Sequence, residues 1–215
     1  MIAALKKLLG RPHGRAPGPS LEQLDDGPWL GAATVDLSLF ENSDFDRGAS
    51  TAREIAWIGT RSSIFEHGPA GLDAIRRRVL VAFGAKMGVG GTCRRGVRVT
   101  FPWKLEVGDN SWLGEDVWLL NLAPIRIGSN VCISQRAFLC TGNHDWSHHA
   151  LRLLTAPITI EDGAWIGASS FVGPGVTVGT HAVVTAGSVV TRDLPPYTIC
   201  AGNPCQPVRE RKIVR

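Results

Sequence analysis

No apolar run in this 215-residue sequence approaches the roughly 18 residues that a membrane-crossing helix needs, so no part of it is expected to span a bilayer. The opening Met1-Ile2-Ala3-Ala4-Leu5 is cut short by Lys6-Lys7, too little for the apolar core of a secretion signal. A frayed terminus is expected over residues 1–9, with membrane contact at most peripheral. The five cysteines, Cys93, Cys132, Cys140, Cys200 and Cys205, show no disulfide-like or zinc-like spacing. An odd count without an export signal favours the reducing cytosol, and a cytoplasmic chain is expected. Gly88-Val89-Gly90-Gly91 lacks the Gly-Lys-Ser/Thr of a phosphate loop, and Cys93 stands where a dinucleotide fingerprint needs its third glycine. Net charge is only +4, gathered at Arg94-Arg95 and the C-terminus, and no nucleic-acid module is recognisable. What remains is one domain, 44% apolar, with an appended segment.

What the sequence does contain is a beat of six. Ile160, Ile166, Val172, Val178, Val184 and Val190 recur in phase, and small or aliphatic residues (Ile158, Ala164, Ser170, Val176, Ala182, Ser188) stand two positions before each. Upstream, Met87, Cys93 and Val99 form one run and Val107, Leu113, Leu119 and Ile125 another. A two-residue slip at Pro124-Ile125-Arg126 resets the phase to Ile127, Ile133 and Leu139. A period of six is neither helical nor the two of a plain strand; it is the hexapeptide β-helix repeat, three short strands per coil. Each inward aliphatic is worth roughly 1.5–3 kcal/mol of burial. Coils pair at about 4.8 Å, and one alone cannot bury its own face. Glycines after the inward residues (Gly167, Gly173, Gly179) suit either an unusual backbone angle or close approach. Gly88 to Gly91 read as the first turns of the coil.

The beat fails for 21 residues between Leu139 and Ile160. That gap is eighteen plus three, which predicts a further coil carrying a small bulged loop. It holds Thr141-Gly142-Asn143-His144-Asp145-Trp146-Ser147-His148-His149, and a solenoid that interrupts itself for a histidine-rich excursion over 141–157 points to chemistry there.

Before the repeat, residues 1–40 read as a basic, Gly/Pro-rich lead-in, with three Gly and three Pro in residues 10–20. Residues 41–85 read as helical: Ile55, Trp57 and Ile58 lie in one segment, and Ile75, Val79 and Leu80 in another beyond Gly68-Pro69. Arg76-Arg77-Arg78 is read as a solvated face, the alternative being contact with anionic lipid or a lipid-linked sugar phosphate. The β-helix is expected over 86–197 and a C-terminal tail over 198–215.

Five motifs carry a resemblance. They are Asn42-Ser43-Asp44-Phe45-Asp46-Arg47-Gly48, Thr100-Phe101-Pro102-Trp103, Asn121-Leu122-Ala123-Pro124, Cys140-Thr141-Gly142-Asn143-His144-Asp145-Trp146 and Ala201-Gly202-Asn203-Pro204. With the repeat, over about residues 40–212, they resemble the hexapeptide-repeat acyltransferases, most of all the colanic-acid-type acetyltransferases of bacterial polysaccharide synthesis. The resemblance implies a mainly β fold, a left-handed parallel β-helix behind an N-terminal helical segment. It also implies a homotrimer with active sites between subunits, and acetyl-CoA as the donor for O-acetylation of a saccharide or saccharide-linked acceptor.

Transfer from a thioester to a hydroxyl needs a base and an oxyanion donor but no metal. Histidine suits the first role, and the family's base falls on His144. Asp145 is a candidate to orient the imidazole, and Asn121, one coil below, to hold the acceptor. The pantetheine arm needs exposed backbone beside small residues, which Ala168, Ala186 and Gly187 provide. Its phosphates need cations, and Arg192 and Arg209 match basic family positions that contact the cofactor, arginine replacing the usual lysine at the first. Trp165, just before the inward Ile166, matches a position near the acceptor and is grouped with the residues lining the thioester pocket. Cys140, four residues from His144, invites a nucleophile–base reading, but packing beside Leu139 is the better account.

Two other classes compete. Zinc carbonic anhydrases share the left-handed β-helix, and His144 and His149 have their five-residue spacing. A third ligand is missing, since no histidine lies between His67 and His144, so no metal is expected. A non-catalytic scaffold would keep the solenoid and fail to bind acetyl-CoA.

Overall fold

The six-residue beat folds into strands of two or three residues laid on three faces of a prism in a computed structural model that describes residues 34–214. The expectations for residues 1–33 lie outside the described residues. The first face stacks Lys86–Met87, Leu105–Val107, Ile125–Ile127, Ile158–Ile160 and Thr177–Val178 in parallel. The second runs from Thr92–Cys93 through Trp112–Leu113, Cys132–Ile133 and Trp165–Ile166 to Val183–Val184. The third stacks Arg98–Val99, Trp118–Leu120, Phe138–Cys140, Phe171–Val172 and Val189–Val190. Every expected inward aliphatic from Cys93 to Val190 is buried, most with no exposed surface, while the first, Met87, is half-buried. Register follows the beat: Leu113 lies on Ile133, and Ile166 on both Ile133 and Val184.

The glycines that follow inward residues serve close approach. A Cβ on Gly167 would sit 2.5 Å from the Ala186 amide nitrogen, and one on Gly179 would sit 2.6 Å from Pro196 N. Positive φ falls three residues after the inward position instead, at Gly163, Ser169, Gly175, His181 and Gly187.

Every departure from the six-residue step lies on one edge. Steps from first to second face and from second to third never change. Steps from third to first face lengthen at Val99 to Val107, at Leu119 to Ile127 and at Leu139 to Ile160. The first of these holds the 3-10 turn Pro102–Lys104, and the second the Asn121-to-Pro124 stretch. The third corrects the expectation of a further coil: Ile158–Ile160 pairs directly with Ile125–Ile127, so the whole surplus leaves the wall as an antiparallel hairpin.

Both ends also differ from expectation. Where a C-terminal tail is expected, Thr198–Gly202 continues the second face and Cys205–Glu210 folds back antiparallel on it. Arg211 then donates to the carbonyls of Gly163 (3.0 Å) and His181 (2.9 Å). At the other end, helix α1 (Thr51–Thr60), capped by Ser50, runs into a π-helical turn, Arg61–Glu66, and helix α2 covers Asp73–Ala82. Trp57, Phe65 and Leu80 close the base of the prism, with Trp57 Nε1 donating to Val99 O at 3.0 Å. The arginine triplet is largely structural rather than a solvated face. Arg76 is fully buried and donates to the carbonyls of Ile64 and Pro69, and Arg77 donates to those of Gly88 and Gly91. Residues 36–40, assigned to the lead-in by sequence, dock on the hairpin: Asp36 N–H donates to His149 O at 2.9 Å.

These contacts separate two glycine substitutions. Gly167→Ala must push backbone apart and is expected to cost about 3 kcal/mol or more, at the upper end of overpacking. Gly187→Ala meets nothing within 4 Å and bears only the strain of its φ of 71°, about 1 kcal/mol. Urea denaturation of the two variants checks the order, and equal midpoints would contradict it.

Candidate active site

The hairpin pairs Gly142–His144 with Leu153–Thr155 and is tied across its mouth by Asp145 N–H donating to Arg152 O at 2.8 Å. Its tip is built by short polar residues. The Asp145 carboxylate accepts from Ser147 N (3.0 Å) and Ser147 Oγ (2.5 Å), and the Ser147 hydroxyl above all holds the Asp145 pKa below its ordinary value. The Ala150 amide donates to His148 Nδ1 at 3.1 Å, which requires that nitrogen to carry no proton.

This tip brings a carbonyl to the imidazole. His144 Nδ1 lies 2.6 Å from Leu151 O and donates to it, so in the neutral ring it is the other nitrogen, Nε2, that carries the lone pair. Leu151 has φ 45°, a left-handed conformation unusual for a leucine, and this aims its carbonyl inward. Phe40 meets the imidazole edge-on, with centroids 5.8 Å apart. Sequence reasoning missed both partners. A backbone carbonyl has no sequence signature, and Phe40 is more than a hundred residues away.

Asp145, the sequence candidate for orienting the ring, is instead engaged with Ser147. Asn121 also departs from expectation. It is fully buried, with Oδ1 accepting from the amides of Thr100 (3.0 Å) and Phe101 (2.9 Å) and Nδ2 donating to Phe101 O (2.6 Å). Its side chain pins the coil below, which leaves it no surface to offer an acceptor. Cys140 is buried with its thiol donating to Gly142 O at 3.2 Å, and burial pushes its pKa up, away from a nucleophilic thiolate.

The residues expected to hold the cofactor gather elsewhere. Ala168, Ala186 and Gly187 lie on successive coils where the second face turns into the third, and Gly187 N–H donates to Ala168 O at 2.9 Å. Arg192 follows the last strand of the third face, and Arg209 stands opposite Ile199 in the C-terminal hairpin. Both are exposed, with no carboxylate partner among the described residues. Trp165 is exposed on the second face, its Nε1 donating to Ser134 Oγ at 2.8 Å. His144 therefore stands on one edge of the prism and the small-residue stripe on another, with the third face between. Among the described residues no group of three or more His, Cys, Asp or Glu is placed to hold a metal ion.

Thr100 N–H also reaches Leu119 O, and Phe101 O also accepts from Lys104 N, so Asn121→Ala orphans the buried Phe101 amide alone and is expected to destabilise the fold by about 1–3 kcal/mol. Urea denaturation reads this directly. An unchanged midpoint would mean that the pinned coil is held by other contacts.

Comparison with known proteins adds to this geometry. The family model described as the hexapeptide repeat of succinyl-transferase matches residues 157–192. An Escherichia coli (strain K12) protein, provisionally assigned as a colanic acid biosynthesis acetyltransferase, is 40% identical over 176 residues, 82% of this chain and 97% of its own length. A galactoside acetyltransferase solved with coenzyme A superposes with a TM-score of 0.66 at 26% identity, covering 75% of this chain and 82% of that one. A hexapeptide-repeat acetyltransferase of Vibrio cholerae, solved with acetyl-coenzyme A, gives 0.65 at 26% identity, covering 75% and 87%. With the repeat, the three-faced parallel coil and this level of identity along most of both chains, the protein belongs to the hexapeptide-repeat acetyltransferases, the left-handed parallel β-helix enzymes.

Proposed function

We propose that this protein is an acetyl-CoA-dependent O-acetyltransferase that acetylates a saccharide hydroxyl in exopolysaccharide biosynthesis in the cytoplasm, with His144 as general base. The observation that carries the reading is the His144–Leu151 hydrogen bond. A base must be held in one tautomer with its lone pair exposed, and the Leu151 carbonyl does this by accepting the hydrogen bond from Nδ1–H. His144 Nε2 then removes the proton of the attacking hydroxyl as its oxygen adds to the thioester carbonyl, and returns it to the departing thiolate. Asp145 holds the tip that positions Leu151 and does not touch the ring.

The donor's small-residue stripe, Ala168, Ala186 and Gly187, offers backbone to the pantetheine arm, and Arg192 and Arg209 offer unpaired cations to its phosphates. Trp165 flanks the thioester end. Because this stripe and His144 occupy different edges of the prism, the reading includes a homotrimer in which the hairpin of one copy meets the stripe of the next. The relatives support the chemistry: one is assigned to colanic acid biosynthesis, and two solved neighbours hold coenzyme A or its acetyl thioester.

His144→Ala is expected to lower turnover by ~10²–10⁴ with an unchanged melting curve, as for loss of a general base. Steady-state assay with acetyl-CoA and a sugar panel checks it, and near-normal turnover would remove His144 from the mechanism. For Arg192→Ala and Arg209→Ala the KM for acetyl-CoA rises by about tenfold while the acceptor KM stays put, since each loses one charge-assisted contact. Unchanged donor KM in both would take the arginines out of the site.

A further inference from the structure

The Asn42-to-Gly48 motif divides into two halves with different work. In the second half both charged side chains are engaged. Asp46 Oδ1 accepts from Gly48 N at 2.7 Å, and Arg47 forms an ion pair with Glu54. Trp103 Nε1 donates to Arg47 O at 2.6 Å, and Lys104 Nζ donates to the carbonyls of Asp46 and Leu122, the latter at 2.8 Å. The Lys104 ammonium also lies 4.8 Å from the Phe45 ring centroid and 5.3 Å from that of Phe101. Phe101 is the residue that Asn121 clamps, so the strap is anchored to the coil through one continuous set of contacts.

The first half is left unengaged. The side chains of Glu41, Asn42 and Asp44 have no hydrogen-bond or ion-pair partner among the described residues. Together with Phe45 they form one wall of a cleft of about 530 Å³, and the hairpin forms the other, with Arg152 and Leu153. Leu153 pairs with His144 across the hairpin, and paired residues of two antiparallel strands project to the same side. The imidazole therefore stands on the side of the hairpin that the strap covers, and Phe40 of the strap touches it.

We propose that this cleft is the acceptor pocket and that the strap residues Glu41, Asn42 and Asp44 select the acceptor. Carboxylates and an amide on one wall accept and donate to the vicinal hydroxyls of a pyranose, while Phe45 and Leu153 offer apolar surface to its C–H face. The volume lies within the range of small-molecule sites. The charge balance names the acceptor class more narrowly. Glu41 and Asp44 face the Arg152 guanidinium and the imidazoles of His148 and His149, and with both rings neutral the carboxylates outnumber the cation, so the sugar unit that enters is uncharged and any phosphate attached to it stays outside. The anchored half of the motif fixes the backbone of the wall, so binding orders its side chains and not the strap itself.

This inference rests on the acetyl-transfer reading, and the test separates the two. The probes are p-nitrophenyl β-D-galactoside and p-nitrophenyl α-D-glucoside, each compared with the corresponding hexose 1-phosphate, with acetyl-CoA as donor and the full chain as enzyme. The double variant Asn42→Ala/Asp44→Ala is expected to raise the glycoside KM about tenfold or more, leaving the KM for acetyl-CoA and the melting temperature as in wild type. Saturation-transfer NMR on the coenzyme A-loaded protein is expected to lose the glycoside signal in the same variant. An unchanged glycoside KM and signal would overturn the pocket while acetyl transfer stands. Preference for the 1-phosphates would overturn the uncharged class. A wild-type protein that binds acetyl-CoA and acetylates none of the sugars would overturn both readings.

Discussion

Coil-on-coil backbone pairing is the constraint from which the rest of this molecule follows. A single turn of three short strands has neither partners for its amides nor a second surface for its aliphatics. Each turn must land its inward residues on those of the turn below, in register on all three faces. Gly167 and Gly179 show how tight that landing is, since neither has room for one more carbon. An insertion within a strand would throw the inward residues out of phase, so extra residues can leave the wall only at corners.

The chain puts all its extra residues at one kind of corner, and that choice makes a site. The Pro102–Lys104 turn, the Asn121 stretch and the hairpin lie above one another on the edge between third and first faces. Irregular backbone at a corner exposes amides and carbonyls that strands would otherwise pair, and buried side chains satisfy them. Asn121 does so for the Phe101 amide, and the half-buried Lys104 for Leu122 O. The same irregularity holds the strap against the hairpin. The candidate site thus sits on a loop, but on one fixed to a rigid column.

The hairpin tip also stores a little strain. Leu151 is held at positive φ because Asp145, Ser147 and His148 determine the turn around it, and the gain is a carbonyl directed at His144 Nδ1. The partner is a main-chain carbonyl and not a carboxylate, so the ring is oriented without adding a charge to the hairpin.

The sequence alone determined the solenoid, its phase and the place where it is interrupted, because a period of six with aliphatics inward has no other way to bury them. It also marked His144, by its place in a resembling motif and its position in the break. Tertiary structure decided how that histidine is held, since Leu151 acts through its backbone and any residue has a carbonyl. It likewise reassigned Asn121, Asp145 and the arginine triplet: a polar side chain is written the same in sequence whether it faces solvent or serves an orphaned amide. Nor could spacing show that residues 36–45 return to cover the hairpin, because that contact joins segments a hundred residues apart and depends on which edge of the prism the coil leaves irregular.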